Sequence, residues 1–321
     1  MIKKRGKNKG GQLQISFAWV FAIIVGAAIL FLAIYTATKV IKTGGEATTA
    51  KTGKEISVLL SPLETGFETG VVTLLTMPVE TRIYNQCSTS ENFGSQIVKI
   101  SQKSFDKWTE TDLQTEFSNK YIFSEGVVEG KEFVIFAKPF EFPFKVSDLI
   151  YLTSKERGYC FFQPPREIKE ELSDLNQENI LVEDGACPEN SIKVCFDGSG
   201  SGSGCDINVD EFQKSVEKRG QIVYYETNAL MYAAVFSDKT TYECQVKRLM
   251  KRTNELSKLY DEKQQLLIKQ GCVPDVNLLL LANSAGSVSD SRDLVSVAQI
   301  SEEIGARNYV TCFDRFTVKL W

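Results

Sequence analysis

The chain has no histidine in 321 residues. That absence removes Ser-His-Asp and Cys-His catalysis, histidine metal ligation and the side chain that most often moves protons near neutral pH. It also has no Cys-x-x-Cys pair. A mixed cysteine/histidine zinc site is therefore impossible, and a four-cysteine site lacks its usual spacing. No Asn-x-Ser/Thr sequon occurs, so N-glycosylation is not expected. Carboxylate pairs, Ser-Lys dyads and carboxylate metal sites are the chemistries that remain.

Charge is missing from one long stretch. Gly10 to Thr38 is 29 residues without an Asp, Glu, Lys or Arg, and from Ile15 it is almost wholly apolar. A helix rises about 1.5 Å per residue, so roughly 20 apolar residues cross the hydrocarbon core of a bilayer. Residues 15–41 are expected to form a transmembrane helix in contact with lipid. A cleaved signal peptide has an apolar core of about 7–15 residues followed by an Ala-x-Ala-like site; here the core is longer and no clean site follows. Phe17 and Trp19 lie near one end and Tyr35 near the other, as aromatic interface belts do. Ala18, Ala22 and Gly26 recur at the spacing that lets transmembrane helices approach closely, although small residues are common in any such span. Lys3, Lys4, Arg5, Lys7 and Lys9 precede the span with no acid among residues 1–14, whereas Glu46 and Glu55 dilute the lysines behind it. This bias places the N-terminus in the cytoplasm and the rest of the chain outside.

The eight cysteines, Cys87, Cys160, Cys187, Cys195, Cys205, Cys244, Cys272 and Cys312, all follow the span. Disulfides in an oxidising compartment are the simplest reading. Eight cysteines allow about 105 connectivities; the pairings expected are Cys87 with Cys160, Cys195 with Cys205, and Cys244 with Cys312. Five of the 37 basic residues sit in the N-terminal tail, leaving 32 against 41 acidic residues, a net of −9, in the remainder. An acidic outer domain argues against a nucleic-acid partner, so none is expected, and fits a solvent-facing one.

Lys9-Gly10-Gly11-Gln12, then Gln14-Ile15-Ser16-Phe17, then the apolar helix resemble the class III signal region of archaeal type IV pilin-like proteins. The resemblance covers about a tenth of the chain. It implies cleavage by a prepilin peptidase between Gly11 and Gln12, which would make the apolar helix the mature N-terminus, able to pack in a filament.

Gly44 to Lys54 is small, polar and aperiodic, which predicts that the helix breaks at Gly44-Gly45 and that residues 42–54 form a linker. The fold expected beyond it is α+β. Residues 55–165 read as a β-rich, sandwich-like proximal domain: Thr81–Gln86 and Gln96–Gln102 alternate, and Glu129-Gly130 separates two strand-like runs. Residues 166–321 read as a mixed α/β distal domain. Within it, Arg166–Leu175 is a short charged helix, Ala229–Phe236 an apolar one, and Thr241–Gln270 one long helix. That helix is expected to open on a Thr240–Glu243 capping box and to stop at Gly271, with Pro274 beyond. Its stripe Tyr242, Val246, Leu249, Thr253, Leu256, Tyr260, Lys263 and Leu267 predicts docking on its own domain.

Other motifs carry little. Ser-x-x-Lys occurs at Ser104–Lys107 and Ser215–Lys218, but the Lys-Thr-Gly copies at 42–44 and 51–53 precede both, the reverse of the order in serine penicillin-interacting enzymes. The GSGSGSG tract before Cys205 lacks a P-loop ending. Asp206, Asn208 and Asp210 alternate as a strand does and lack the glycine of a calcium loop. No catalytic residue, metal site or cofactor is expected. The expectation is a single-pass surface protein with a disulfide-stapled outer domain for binding, adhesion or envelope assembly, with protein partners at the cell surface. The alternatives are a pilin-like filament subunit or assembly component and a carboxylate-dependent surface hydrolase.

Overall fold

The computed structural model describes residues 17–60, 72–90, 93–104, 106–109, 114–196, 204–274, 276–312 and 317–321. The chain is mixed α+β: among the described residues it has an N-terminal apolar helix, three β-sheets and further helices. Helix α1 runs from Phe17 to Leu60, 44 residues. It passes through Gly44-Gly45, where a break and a linker were expected. Each glycine costs only about 1 kcal/mol relative to alanine inside a helix, so two do not end one that long neighbours propagate.

Residues Thr49–Trp321 form one compact unit. Its first sheet is built from β1 (Val72–Ser88), β2 (Ser95–Ser104), β3 (Lys107–Trp108), β4 (Gln114–Phe117), β5 (Ile122–Phe123), β6 (Val127–Glu141) and β7 (Lys145–Ser154). The order is β3-β2-β1-β6-β7-β5, with β4 also on β2. Side chains alternate between the two faces of a strand, and here both faces are apolar. Phe133, Ile135, Ile150 and Leu152 join Leu75, Ile83, Val98 and Ile100 in one buried cluster. Val134, Phe136, Leu149 and Tyr151 belong to another. The first cluster is enclosed because the sheet curls on itself. β5, last in the pairing order, is bonded back to β1 and β2 through two side chains: Asn85 Nδ2 donates to Ile122 O at 3.1 Å, and Ile122 N donates to Gln96 Oε1 at 3.2 Å. In place of two facing sheets, the proximal strands thus make one curled sheet.

The second sheet contains β8 (Tyr159–Phe162), β9 (Ile180–Glu183), β10 (Ile192–Phe196), β11 (Ile207–Asp210), β12 (Ser215–Lys218) and β13 (Gln221–Tyr224), in the order β13-β12-β11-β10-β8-β9. Pairing is parallel from β9 to β11 and antiparallel from there to β13. The charged helix α2 (Arg166–Asp174) connects β8 to its parallel neighbour β9.

Helix α3 (Asn228–Phe236) is buried at every position from Ala229 to Phe236. It packs on β5, β6 and β7 on one side and on β12 and β13 on the other, so it lies between the two sheets. Phe136, Tyr151, Tyr159 and Phe161 all contact the Phe236 ring, with centroids 4.8–6.2 Å apart. One core cluster therefore runs from Tyr121 to Ile304, and position 165/166 falls inside it.

Helix α4 (Lys239–Lys269) follows directly. Its cap is Asp238, whose carboxylate accepts from Thr241 N at 2.8 Å. Glu243, expected to close a capping box, instead accepts from Ser291 N and Oγ. Tyr242, Val246, Leu249 and Thr253 of the expected stripe are buried, while Lys263 is exposed and donates to Leu320 O at 2.6 Å. Gly271, with φ of 82°, takes the left-handed conformation that ends the helix. β14 (Cys272–Val273), α5 (Leu278–Gly286), α6 (Leu294–Gly305), β15 (Tyr309–Cys312) and β16 (Thr317–Lys319) complete the chain. α5 packs on both α4 and α6, and β14, β15 and β16 form a small antiparallel sheet.

Candidate functional site

Among the described residues one helical stretch, Phe17–Lys39, is long and apolar enough to cross a membrane, and none of it is buried by the rest of the described chain. Ala18, Ala22 and Gly26 are exposed on it, and a Cβ added at Gly26 would meet nothing within 4 Å. The small residues therefore pack against no described part of the chain. Gly11 and Gln12, the expected processing site, lie outside the described residues.

All eight cysteines are paired: Cys87–Cys244, Cys160–Cys187, Cys195–Cys205 and Cys272–Cys312. The expected Cys195–Cys205 bridge is present. Cys87–Cys160 and Cys244–Cys312 are replaced because the fold sets β1 against α4 and pairs Cys272 directly with Cys312 across β14 and β15.

Cys87–Cys244 sits at the end of a buried polar seam that fixes α4 to the curled sheet. Gln245 Nε2 donates to Gln96 Oε1, and Gln96 Nε2 donates to Asn85 Oδ1. Asn85 Nδ2 reaches Ser124 Oγ at 2.7 Å. Arg248, fully buried, donates to Gln245 Oε1 at 2.7 Å, Lys120 O at 2.8 Å, Ser118 O at 2.9 Å and Phe93 O at 3.2 Å. Its guanidinium stacks 4.7 Å from the Tyr121 ring centroid. Among the described residues no carboxylate neutralises it; carbonyl dipoles and the ring face hold the charge. Burial pulls the Arg248 guanidinium below its ordinary pKa, while Tyr121 opposes the shift. A buried polar group without partners is costly and a satisfied network specifies one geometry, so this seam fixes the register of α4.

A second charged constellation joins the two sheets. Glu125, between β5 and β6, accepts from Arg157 at 2.9 Å, Lys218 at 3.0 Å and Arg219 at 3.4 Å. Burial pushes the Glu125 carboxyl up, but Lys218 and then Arg157 pull it down further, to about 2. Desolvation lowers the Lys218 ammonium, partly offset by Glu125. Burial, then the nearby Glu125 charge, push the Tyr159 hydroxyl up to about 12. Arg219 and Gly220, with φ of 52° and 71°, form the two-residue turn between β12 and β13 in which both central residues are left-handed. That turn delivers Arg219 to Glu125. Beside it opens a groove of about 490 Å³ lined by Arg157, Lys218, Arg219, Asp206, Asn208 and Glu217.

Lys218 also belongs to one of the Ser-x-x-Lys matches. Residues three apart on a strand point to opposite faces, and Lys218 Nζ is engaged by Glu125, Val235 O and Ser237 O, so Ser215 and Lys218 make no dyad. Asp206 and Asp210 accept from Lys193 N and Gln213 N; their alternation is that of β11. Among the described residues no cluster of three metal-ligating side chains occurs.

The sequence reading missed Glu125, Arg157, Gln96, Gln245 and Arg248. Arg219-Gly220 between two apolar runs was the one local signal, a hairpin turn. Comparison with protein-family models, curated proteins and solved structures finds no match.

Proposed function

We infer that this is a single-pass membrane protein whose extracytoplasmic, disulfide-stapled α+β domain serves binding, adhesion or envelope assembly. The supporting observation is that all eight cysteines follow the apolar helix and close four disulfides among themselves, leaving none free. Disulfides persist where the compartment is oxidising. The buried seam and the Glu125 bridge supply rigidity, and the charged groove beside Glu125 is a surface on which a partner can be read. Membranes extracted with alkaline carbonate and oriented cells treated with external protease test this reading. Retention in the membrane with removal of the outer domain supports it. Release by carbonate, or protection from protease until the cells are opened, overturns it.

The second reading is a pilin-like subunit or assembly component, favoured by the uninterrupted α1. At about 1.5 Å per residue its 44 residues extend well beyond a hydrocarbon core of about 30 Å, as the stem helices of that family do. Cleavage between Gly11 and Gln12 is its requirement. N-terminal sequencing of the native protein should begin at Gln12 if this reading holds, and at Met1 or Ile2 if it does not.

A further inference from the structure

We propose that the second half of α4 is a pairing surface for a second copy of this chain, which docks antiparallel about a two-fold axis between Glu262 and Lys263. The proposal goes beyond the reading above and takes only the membrane anchor from it. At 3.6 residues per turn, Arg248, Leu259 and Leu266 lie on one face of α4. At Arg248 that face is covered, because Phe93 and the Ser118–Lys120 segment accept from the guanidinium. Leu259 lies about 16 Å further along the helix, where the cover has ended. Leu259 is 58% exposed and Leu266 60%. The opposite face stays buried at Thr253, Ser257 and Gln264. Single exposed leucines are ordinary. Two of them seven residues apart on one face have the spacing of a helix-pairing seam.

The charges between the leucines select the occupant. Glu262 and Lys263 are both exposed. Glu255 pairs with Lys258 at 2.7 Å, whereas Glu262 has no ion-pair partner among the described residues. Lys263 Nζ is held by Leu320 O at 2.6 Å and meets no carboxylate among the described residues. In an antiparallel pair, setting Leu259 opposite Leu266 of the second copy also sets Glu262 opposite its Lys263, because both pairs share one midpoint. The two-fold axis repeats each contact, so the face is complementary to itself, as an isologous interface requires. A parallel pair would match the leucines equally well but set Glu262 against Glu262, a repulsion that selects against it. The strip is small beside the roughly 800 Å² per partner of a standard interface. Pairing is therefore weak in dilute solution and depends on the anchor, which confines copies to one surface and raises their effective concentration.

The experiment uses the full chain reconstituted in phosphatidylcholine vesicles and reads disulfide cross-linking. The eight native cysteines leave none free, so an introduced cysteine is the sole free thiol. Leu259→Cys and Leu266→Cys are made separately, each first shown to melt at the parental temperature, and are oxidised with copper phenanthroline singly and as a mixture. Two cysteines are bridged only when their Cα atoms lie within about 7 Å. In the antiparallel pair position 259 of one copy is level with 266 of the other and about 10 Å along the axis from the other copy's 259. Covalent dimer is expected from the mixture and from neither variant alone. Adding Glu262→Lys to both variants sets lysine against lysine and should slow cross-linking about fivefold. No cross-link in the mixture, cross-linking of either variant alone at the mixture's rate, or a mixture unaffected by Glu262→Lys overturns the proposal. Carbonate extraction of the same vesicles reports anchoring independently, so a failure of pairing is distinguishable from a failure of the anchor.

Discussion

The first half of helix α1 and the whole of α3 are both apolar around their circumference and end in opposite surroundings. In α1, Phe17–Lys39 is wholly uncovered by protein; in α3, every residue from Ala229 to Phe236 is covered. Length and neighbours make the difference. Nine residues of α3 match the breadth of two sheets that present Phe136, Tyr151, Tyr159 and Phe161 to it. The apolar stretch of α1, 23 residues, meets no such partner among the described residues, and its length matches a bilayer core of about 30 Å. Uniform apolarity thus says that a helix is buried in something, and length says in what.

That contrast breaks most directly inside α3. Ala233→Asp sets a charge among aromatic rings with no partner, and the outer domain is expected to lose about 4–5 kcal/mol or fail to fold, read by chemical denaturation. Removing Cys87–Cys244 by paired serine substitution should cost about 4 kcal/mol, because the bridge closes a separation of 157 residues and longer loops gain more; a shift in the denaturation midpoint checks it. Val25→Arg in α1 sharpens the comparison from the other side. Its cost of about 3 kcal/mol falls on membrane insertion, so the membrane-bound fraction should drop while the outer domain melts unchanged. Glu125→Gln should cost roughly 2–3 kcal/mol at neutral pH by leaving Lys218 buried without its anion, with Arg157 and Arg219 softened by solvent.

The last of these has a pH signature. Glu125 has its folded-state pKa lowered from 4.5 to about 2. Its contribution is therefore full above the ordinary value and is lost as pH falls through the interval down to about 2. The parent should lose stability across that interval more steeply than Glu125→Gln, and parallel acid-denaturation curves for the two would show that the bridge contributes nothing.

Legibility followed the range of the interaction. α2 and α4 were readable because a helix is written in neighbours three and four apart, and Gly271 marked the end of α4. Cys195–Cys205 was readable because only ten residues separate its ends. Cys87–Cys244 was not, since nothing near Cys87 encodes that β1 will lie against α4. The same holds for Glu125, whose partners Arg157 and Lys218 come from elements 32 and 93 residues away in sequence. The closure of the first sheet rests on Asn85 and Gln96, two amides whose only sequence signal was to be polar within otherwise alternating strands. The cap of α4 was misplaced because Asp238 and Thr240 are both capping residues two apart, and the tertiary contact of Glu243 with Ser291 takes away the carboxylate that a box on Thr240 would need.

The central claim, an anchored domain stapled outside the cytoplasm, is tested most directly by counting thiols on the native protein. Protein taken from its own membranes is denatured and alkylated before and after reduction, and its intact mass is measured. The account predicts no alkylation before reduction and eight additions after it. Eight additions without reductant would contradict both the disulfides and the outward placement of the domain.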